Sequence, residues 1–387
     1  MRITRFFVIG LAFALVVALA GCGPAKPNVV KIGAAGPFTG QLSKIGLDSL
    51  NAIKMAVEEF NASGQLKGMK VEVVEGDDAA DPAKAAAVAE KFASDPALVG
   101  VIGPMTSSGV VAALPILEKN SITLITQSGT NPSLTEQGYK VMHRVCPRDD
   151  DQAPAAASFI VNDIMAKSVY IIDDKGTYGQ GLADEVEKNL KKLGVDKIAR
   201  AQITSDDKDF SAILTKIKAN KPELLYLAIP SPAQAATIIK QLAGMGIKTA
   251  IMGGDGIREK DELIKGSGGA AEGVYATSIG PTIQSVPEAK DFVANFEKKY
   301  GALSMYSGQS YEAANVLLAG IAKAGVKNGK VDRKAVLAAV NATKDFKGVL
   351  GVPISFDAKG DLMGSAIFVV QVKGDDFVQL KAVQVTK

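Results

Sequence analysis

Five short segments rich in glycine and small hydroxyls hold the side chains able to do chemistry: GPFTGQLSKIG (36–46), GPMTSSG (103–109), TQSGTNPS (126–133), DDKGTYGQG (173–181) and MGGDGI (252–257). Ser107, Ser128 and Thr130, with neighbouring backbone N–H groups, form an anion holder of the kind found at helix N-termini. Neutral donors of this sort suit a carboxylate that has lost its water. Asp255 is a carboxylate among glycines, where a cation can approach closely, and an opposite charge keeps the acid ionised. The two features together describe a zwitterion. Each hydroxyl alone could cap a helix or turn, and Asp255 alone could be a turn residue. Five such segments, each following an apolar run, favour a shared ligand.

Enzyme chemistry finds little support. Read by itself, LVGVIGPMTSSG could end in a nucleophile or a phosphate cradle. However, the sole histidine, His143, lies in KVMHRVC beside Cys146, an alternating apolar stretch in which both read as packing residues. Ser107 therefore lacks a base, and a zinc site or Cys–His pair has almost nothing to work with. GSGGAA (266–271) follows a helical pattern and not a strand, which removes the dinucleotide reading, and the chain has no P-loop and no G-x-S-x-G elbow. We expect a binding protein with no metal and no cofactor.

The elements that must position these residues follow from periodicity. From Val29, short Val/Ile-rich runs alternate with amphipathic helical stretches, the pattern of parallel sheets covered by helices. VVKIGAA, MKVEVVEGD, LVGVIGP and SITLIT are strands of a first lobe that is complete near Arg148. SVYIIDD, KIARAQIT, ELLYLAIP and TAIMGGDG restart the pattern in a second lobe. Helical patterns follow over PEAKDFVANFEKKYG, SYEAANVLLAGIAKAG and DRKAVLAAVNAT, and the chain ends in a hairpin turning at Gly374-Asp375-Asp376. Helices after the second lobe and strands at the end imply more than one crossing between lobes. Ligands in open α/β sheets bind beyond the carboxyl ends of strands, so the natural site is the cleft between two such lobes.

The N-terminus, MRITRFFVIGLAFALVVALAGC, reads as a secretory leader over residues 1–21. Leu19-Ala20-Gly21-Cys22 is similar to the bacterial lipobox, which implies acylation of Cys22, a membrane tether through its lipid, and a leash over 22–28. Of 387 residues, 366 remain after such cleavage, more than one core normally carries. Arg2 and Arg5 leave with the leader, so 42 basic side chains face 41 acidic ones. No strong field remains to attract nucleic acid.

Over Val29 to Lys387 the sequence resembles the leucine/isoleucine/valine-binding protein family of ABC-transporter receptors. The resemblance is carried by GPFTG, GQLKGMKVEVVEGDDAADP, VIGPMTSS, ITQSGTNPSLT, DDKGTYGQGLA, DFSAILTKIK, IMGGDG and FDAKGDLMG, in that order and spacing. It implies two Rossmann-like lobes with parallel central sheets, joined by three hinge crossovers around a ligand cleft. The expected lobes are 29–148 with 277–365 and 149–276 with 366–387, hinged near 147–150, 276–280 and 364–367. It further implies that Ser107, Ser128 and Thr130 meet an α-carboxylate. Asp255, with the backbone carbonyl at Ser128, meets an α-ammonium. Tyr178 and Tyr306 match aromatics of the second lobe and of the ligand's side-chain pocket. Two departures bear on that pocket: Ile45 stands where an aromatic often lines it, and the third strand of the second lobe ends in AIPSP. Ala80 and Thr106 occupy the places of a disulfide found in some members.

The expected activity is capture of a branched-chain aliphatic α-amino acid by a monomeric, lipid-anchored receptor on the outer face of the cell envelope or in the periplasm. Delivery would be to the membrane permease subunits of an ABC importer. The alternatives are the same fold holding urea, a short amide or an aromatic acid, or serving as the binding lobe of a sensor. Asp255 weighs against the first three, because an ammonium needs a buried anion and a neutral amide or bare acid does not.

Overall fold

Fully buried runs such as LVGVI (98–102) and LLYLA (224–228) have no polar face to offer water, so they form strands covered by helices on both sides. The computed structural model describes residues 28–66 and 68–384. The expected leader, Cys22 and all of the leash except its last residue lie outside the described residues.

The first sheet comprises β1 (Asn28–Gly36), β2 (Met69–Asp77), β3 (Leu98–Ile102), β4 (Thr123–Thr126) and β5 (Met142–Arg144), all parallel, in the order β2-β1-β3-β4-β5. Its helices are α1 (Ser43–Ser63), α2 (Pro82–Ser94), α3 (Ser107–Lys119) and the short α4 (Ser133–Glu136). Asp81 caps α2 ahead of Pro82, its Oδ1 accepting from Ala83 N at 2.8 Å and Lys84 N at 3.0 Å. Helix α1 starts at Ser43, inside the stretch read as a long loop. Ile45 then lies on its first turn, fully buried.

The chain enters the second lobe through α5 (Asp149–Asn162). The elements that follow are β6 (Ser168–Asp173), α6 (Thr177–Lys192), β7 (Lys197–Gln202), α7 (Ser211–Asn220), β8 (Leu224–Ala228), α8 (Pro232–Gly244), β9 (Ala250–Gly253) and β10 (Tyr275–Ser278). It then returns to cover the first sheet with α9 (Lys290–Tyr300), α10 (Ser307–Ala324) and α11 (Arg333–Asn341). Their Phe292, Phe296, Leu317 and Val336 share one core with Ile32 and Ile53. The closing hairpin, β11 (Ala366–Lys373) and β12 (Asp376–Gln384), completes a second sheet ordered β12-β11-β10-β9-β8-β6-β7. Strands β6 to β10 are parallel, and the hairpin adds an antiparallel edge. Its turn is one residue tighter than expected, since Lys373 pairs with Asp376.

Three stretches cross between the lobes: after β5, after β10 and before β11. The second differs from the boundary expected between 276 and 277. Thr277 and Ser278 pair with Val369 and Phe368, so β10 stays in the second sheet and the crossing follows Ser278.

Candidate ligand cleft

The strand ends of both sheets face a cavity of about 510 Å³ whose walls include Ile45, Ser107, Ser128, Tyr178, Asp255 and Tyr306. On the first-lobe side, β3 ends in a tight turn at Gly103. Its φ is +89°, and a Cβ would stand 2.1 Å from the Ala35 carbonyl oxygen, so only glycine fits. Thr106 then caps α3, its Oγ1 accepting from Gly109 N at 3.2 Å. That relieves Ser107 of the capping role and leaves it as the first residue of α3, where helix N–H groups converge. Ser107 Oγ accepts from Asn131 N at 3.4 Å, so its own proton is available to a ligand.

The loop after β4 is held from several sides. Ser128 Oγ donates to the Met105 carbonyl at 2.9 Å, which commits its proton in this geometry and leaves its lone pairs. Thr130 does not line the cleft: it is fully buried, and its hydroxyl lies beside Asp149, whose N–H donates to the Thr130 carbonyl at 2.9 Å.

On the second-lobe side, Asp255 opens a short 3-10 turn (Asp255–Ile257) just past β9 and is 2% exposed. Its Oδ1 accepts from Tyr178 Oη at 2.8 Å and from Gln152 Nε2 at 3.0 Å, and its Oδ2 accepts from Tyr306 Oη at 2.6 Å. Tyr178 comes from the first turn of α6, while Tyr306 immediately precedes α10 on the opposite lobe. Burial pushes the Asp255 carboxyl up from the ordinary range, although the Tyr306, Tyr178 and Gln152 hydrogen bonds pull the other way. Two carboxylate oxygens have room for about four donors, and three are present, leaving a position on Oδ2.

Gln152 escaped the sequence reading. It is one polar residue in an alanine-rich helix, yet it is fully buried, and its Nε2 bridges Asp255 and Asp149 Oδ1. Its Oε1 accepts from Asp255 N at 2.9 Å and from Thr277 Oγ1 at 2.5 Å. Asp149 is equally buried, and desolvation followed by the Asp255 charge raises its pKa well above the usual carboxylate value.

A second set of residues holds the Ser128–Asn131 loop from behind. Arg144, fully buried at the end of β5, donates Nη1 to the carbonyls of Gly129 (2.8 Å) and Asn131 (3.0 Å). Its Nε pairs with Asp361 Oδ1 at 2.7 Å, and Asp361 Oδ2 accepts from Arg148 Nη1 at 2.7 Å. Asp361 belongs to FDAKGDLMG, a motif with no assignable role in the sequence alone. Burial works against its charge, but the two arginines hold its carboxyl below the usual range.

His143 and Cys146 lie apart from any catalytic arrangement. His143 Nε2 meets Asn341 Oδ1 at 2.6 Å, and burial lowers its pKa. Burial pushes the Cys146 thiol up, away from a reactive thiolate. Among the described residues no His, Cys, Asp and Glu group could hold a metal ion, and no helix is long and apolar enough to cross a membrane.

The family model of the periplasmic binding proteins matches residues 29–376. A Leu/Ile/Val-binding protein homolog from Brucella suis is 35% identical over 361 residues, 93% of this chain and 94% of that one. Among solved structures, a leucine-binding protein from Thermotoga maritima superposes with a TM-score of 0.83 at 30% identity, covering 92% of this chain and 98% of that one. The branched-chain amino acid transporter substrate-binding protein of Streptococcus pneumoniae, in complex with isoleucine, gives 0.80 at 26%, covering 92% and 99%. A two-lobed α/β fold, a cleft at the strand ends and these matches over nearly the whole length agree, and the chain belongs to the periplasmic binding protein family, among the Leu/Ile/Val-binding proteins.

Proposed function

We propose that the chain is an extracytoplasmic solute-binding lipoprotein that captures a branched-chain aliphatic α-amino acid and delivers it to the permease subunits of an ABC importer. The observation that carries this reading is Asp255: a buried carboxylate between the lobes, held by two tyrosine hydroxyls and Gln152, with one acceptor position left. An α-ammonium on Oδ2 supplies the missing charge. Ser107 and the N-terminus of α3 receive the carboxylate, Thr130 supports that loop from beneath, and Ser128 contributes acceptor lone pairs to the ammonium. Ile45 and Tyr306 lie against the ligand's side chain. The leucine and isoleucine named for the Thermotoga and Streptococcus relatives support an aliphatic side chain.

Membership of the family implies a place outside the cytoplasm, and the lipid on Cys22 fixes the receptor to the envelope. Cys22→Ser is expected to release it in soluble form on fractionation. The lobes, 29–148 with 277–365 and 149–276 with 366–387 apart from the shift after Ser278, pivot at the three crossings and exclude water as they close.

A thermal-shift panel of L-leucine, L-isoleucine and L-valine, with urea and benzoate as controls, tests the ligand class. At about 100 times its dissociation constant a true ligand adds about 2.7 kcal/mol. Stabilisation by urea or benzoate, with none by any α-amino acid, would discard the proposal.

A further inference from the structure

Helix α6 carries Tyr178 in its first turn, yet its own N-cap is Gly176, which has no side chain to satisfy the free N–H groups at the helix start. Asp174, just before the helix, accepts from Gly176 N at 3.1 Å and from Gly179 N, and the Thr177 N–H between them is met from the other lobe. Ser108, beside the ligand-facing Ser107, accepts from Thr177 N at 3.1 Å. Asn131, beside Thr130, donates Nδ2 to the Thr177 carbonyl at 2.6 Å. Both backbone groups of one residue of the second lobe are thus gripped by the first. The Asn131 amide is oriented for this, because its Oδ1 accepts from Ser133 N at 2.9 Å and Ser133 Oγ at 2.6 Å, and Arg144 anchors its carbonyl.

The approach depends on Gly181. A Cβ there would stand 2.2 Å from Asn131 Nδ2, and the atom that would have to yield is the amide itself. Gly181 sits one turn beyond Thr177 in an ordinary helical position, where alanine is the better helix former. The glycine thus costs helix propensity and in return admits Asn131. It is the last residue of DDKGTYGQG, and neither it nor Asn131 lines the cleft.

We infer that Ser108 caps the first N–H of α6 and Asn131 grips the carbonyl of the same residue across the cleft, with Gly181 as the notch that admits Asn131. The three are positioning residues that set the lifetime of the closed form. On two of these segments a ligand-facing residue stands next to a residue that joins the lobes: Ser107 beside Ser108, and Tyr178 beside Thr177. A ligand that orders the first member of each pair therefore orders the second, and closure becomes part of recognition. The inference rests on the cleft being the ligand site proposed above.

The test compares Gly181→Ala with the natural chain, using L-leucine as probe in stopped-flow binding. The variant is expected to release the probe about tenfold faster with its association rate nearly unchanged, because interface changes act mainly on dissociation. Its ligand-free melting temperature is expected to be equal or higher, which separates a lost grip from a damaged fold. Asn131→Ala is expected to reproduce the faster release, and Gly181→Ala combined with Asn131→Ala to add nothing further. Equal release rates in Gly181→Ala and the natural chain overturn the inference. If the natural chain binds no α-amino acid, the ligand proposal fails by itself. The latch is then judged by small-angle scattering of the ligand-free chains: a more extended Gly181→Ala supports it, and identical curves overturn it.

Discussion

Asp255 concentrates the energetics of the site in one residue. Leaving one member of a buried ion pair without its partner costs about 3–5 kcal/mol, so Asp255→Asn is expected to weaken binding of an α-amino acid at least about a hundredfold by titration calorimetry. Affinity unchanged within error would show that the ammonium lies elsewhere. The raised pKa of Asp255 gives a pH dependence with a definite sign. A cation needs the ionised carboxylate, so affinity is flat above that pKa and falls by about tenfold per unit below it. The groups facing Asp255 are Asp149 through Gln152, and Tyr178 and Tyr306 from the two lobes. Burial and the neighbouring Asp149 carboxyl oppose ionisation of Asp255, while the donating hydroxyls of Tyr306 and Tyr178, Gln152 Nε2 and the Arg258 charge favour it; burial prevails, so binding near the raised pKa releases a proton. Calorimetry in buffers of different ionisation enthalpy measures that proton, and its absence would place Asp255 in the ionised form throughout. Asp255, Tyr178 and Ser107 were legible in the sequence because each follows an apolar run, whereas Tyr306 was legible only through the family resemblance. Gln152 was not, because its role comes from a partner 103 residues away. The demotion of Thr130 from the cleft wall depends on which way a side chain turns, and spacing says nothing of that.

Strand–helix alternation was readable because parallel sheets need continuous apolar runs, and the same logic located both lobes. The extra turn at the start of α1 was hidden by the glycines around it, and the polar ties between elements were invisible. Two elements illustrate such ties. Arg144 at the end of β5 and Arg148 at the start of α5 share Asp361, which lies just before β11, so the first and third crossings are joined by one buried carboxylate. Asp361→Ala leaves both guanidinium groups short of a partner and is expected to cost about 3–5 kcal/mol in urea unfolding. A loss under about 1 kcal/mol would show the network to be dispensable. On α10, Glu312 is fully buried, accepts from Val349 N at 2.9 Å, and is pushed up to about 7 by burial, from 4.5. A carboxyl whose pKa rises on folding contributes stability that is complete below about pH 4.5 and is lost as pH rises to about 7, on the order of 3 kcal/mol. Glu312→Gln is expected to flatten stability across that window, and an unchanged slope would assign the effect to other groups.

At the scale of the whole molecule, two cores must act as one receptor. Ile32, Ile53, Leu317 and Phe296 pack one lobe, while Ile172, Leu225, Ile239 and Val370 pack the other. Among the described residues a small cluster, with Ile45, Met105 and Tyr306 from one side and Ala155 and Ile367 from the other, spans the two. Other ties across the cleft are polar: Tyr306 to Asp255, Arg258 Nη2 to the Met305 carbonyl at 3.1 Å, Gln41 Nε2 to the Ser205 carbonyl at 2.7 Å, Lys44 Nζ to Glu259 Oε1 at 3.7 Å, and the grip on Thr177. Polar contacts of this kind are worth about 0.5–1.5 kcal/mol each and are lost together when the lobes part. Without ligand, the lobes are therefore expected to unfold with incomplete cooperativity, the calorimetric enthalpy exceeding the van't Hoff enthalpy. Saturating L-leucine binds both lobes at once and is expected to raise the transition temperature and bring that ratio towards one. Differential scanning calorimetry with and without the amino acid decides the matter. A ratio of one in the empty chain would mean that the hydrophobic seam and three crossings already couple the lobes, and that ligand energy is free to drive closure alone.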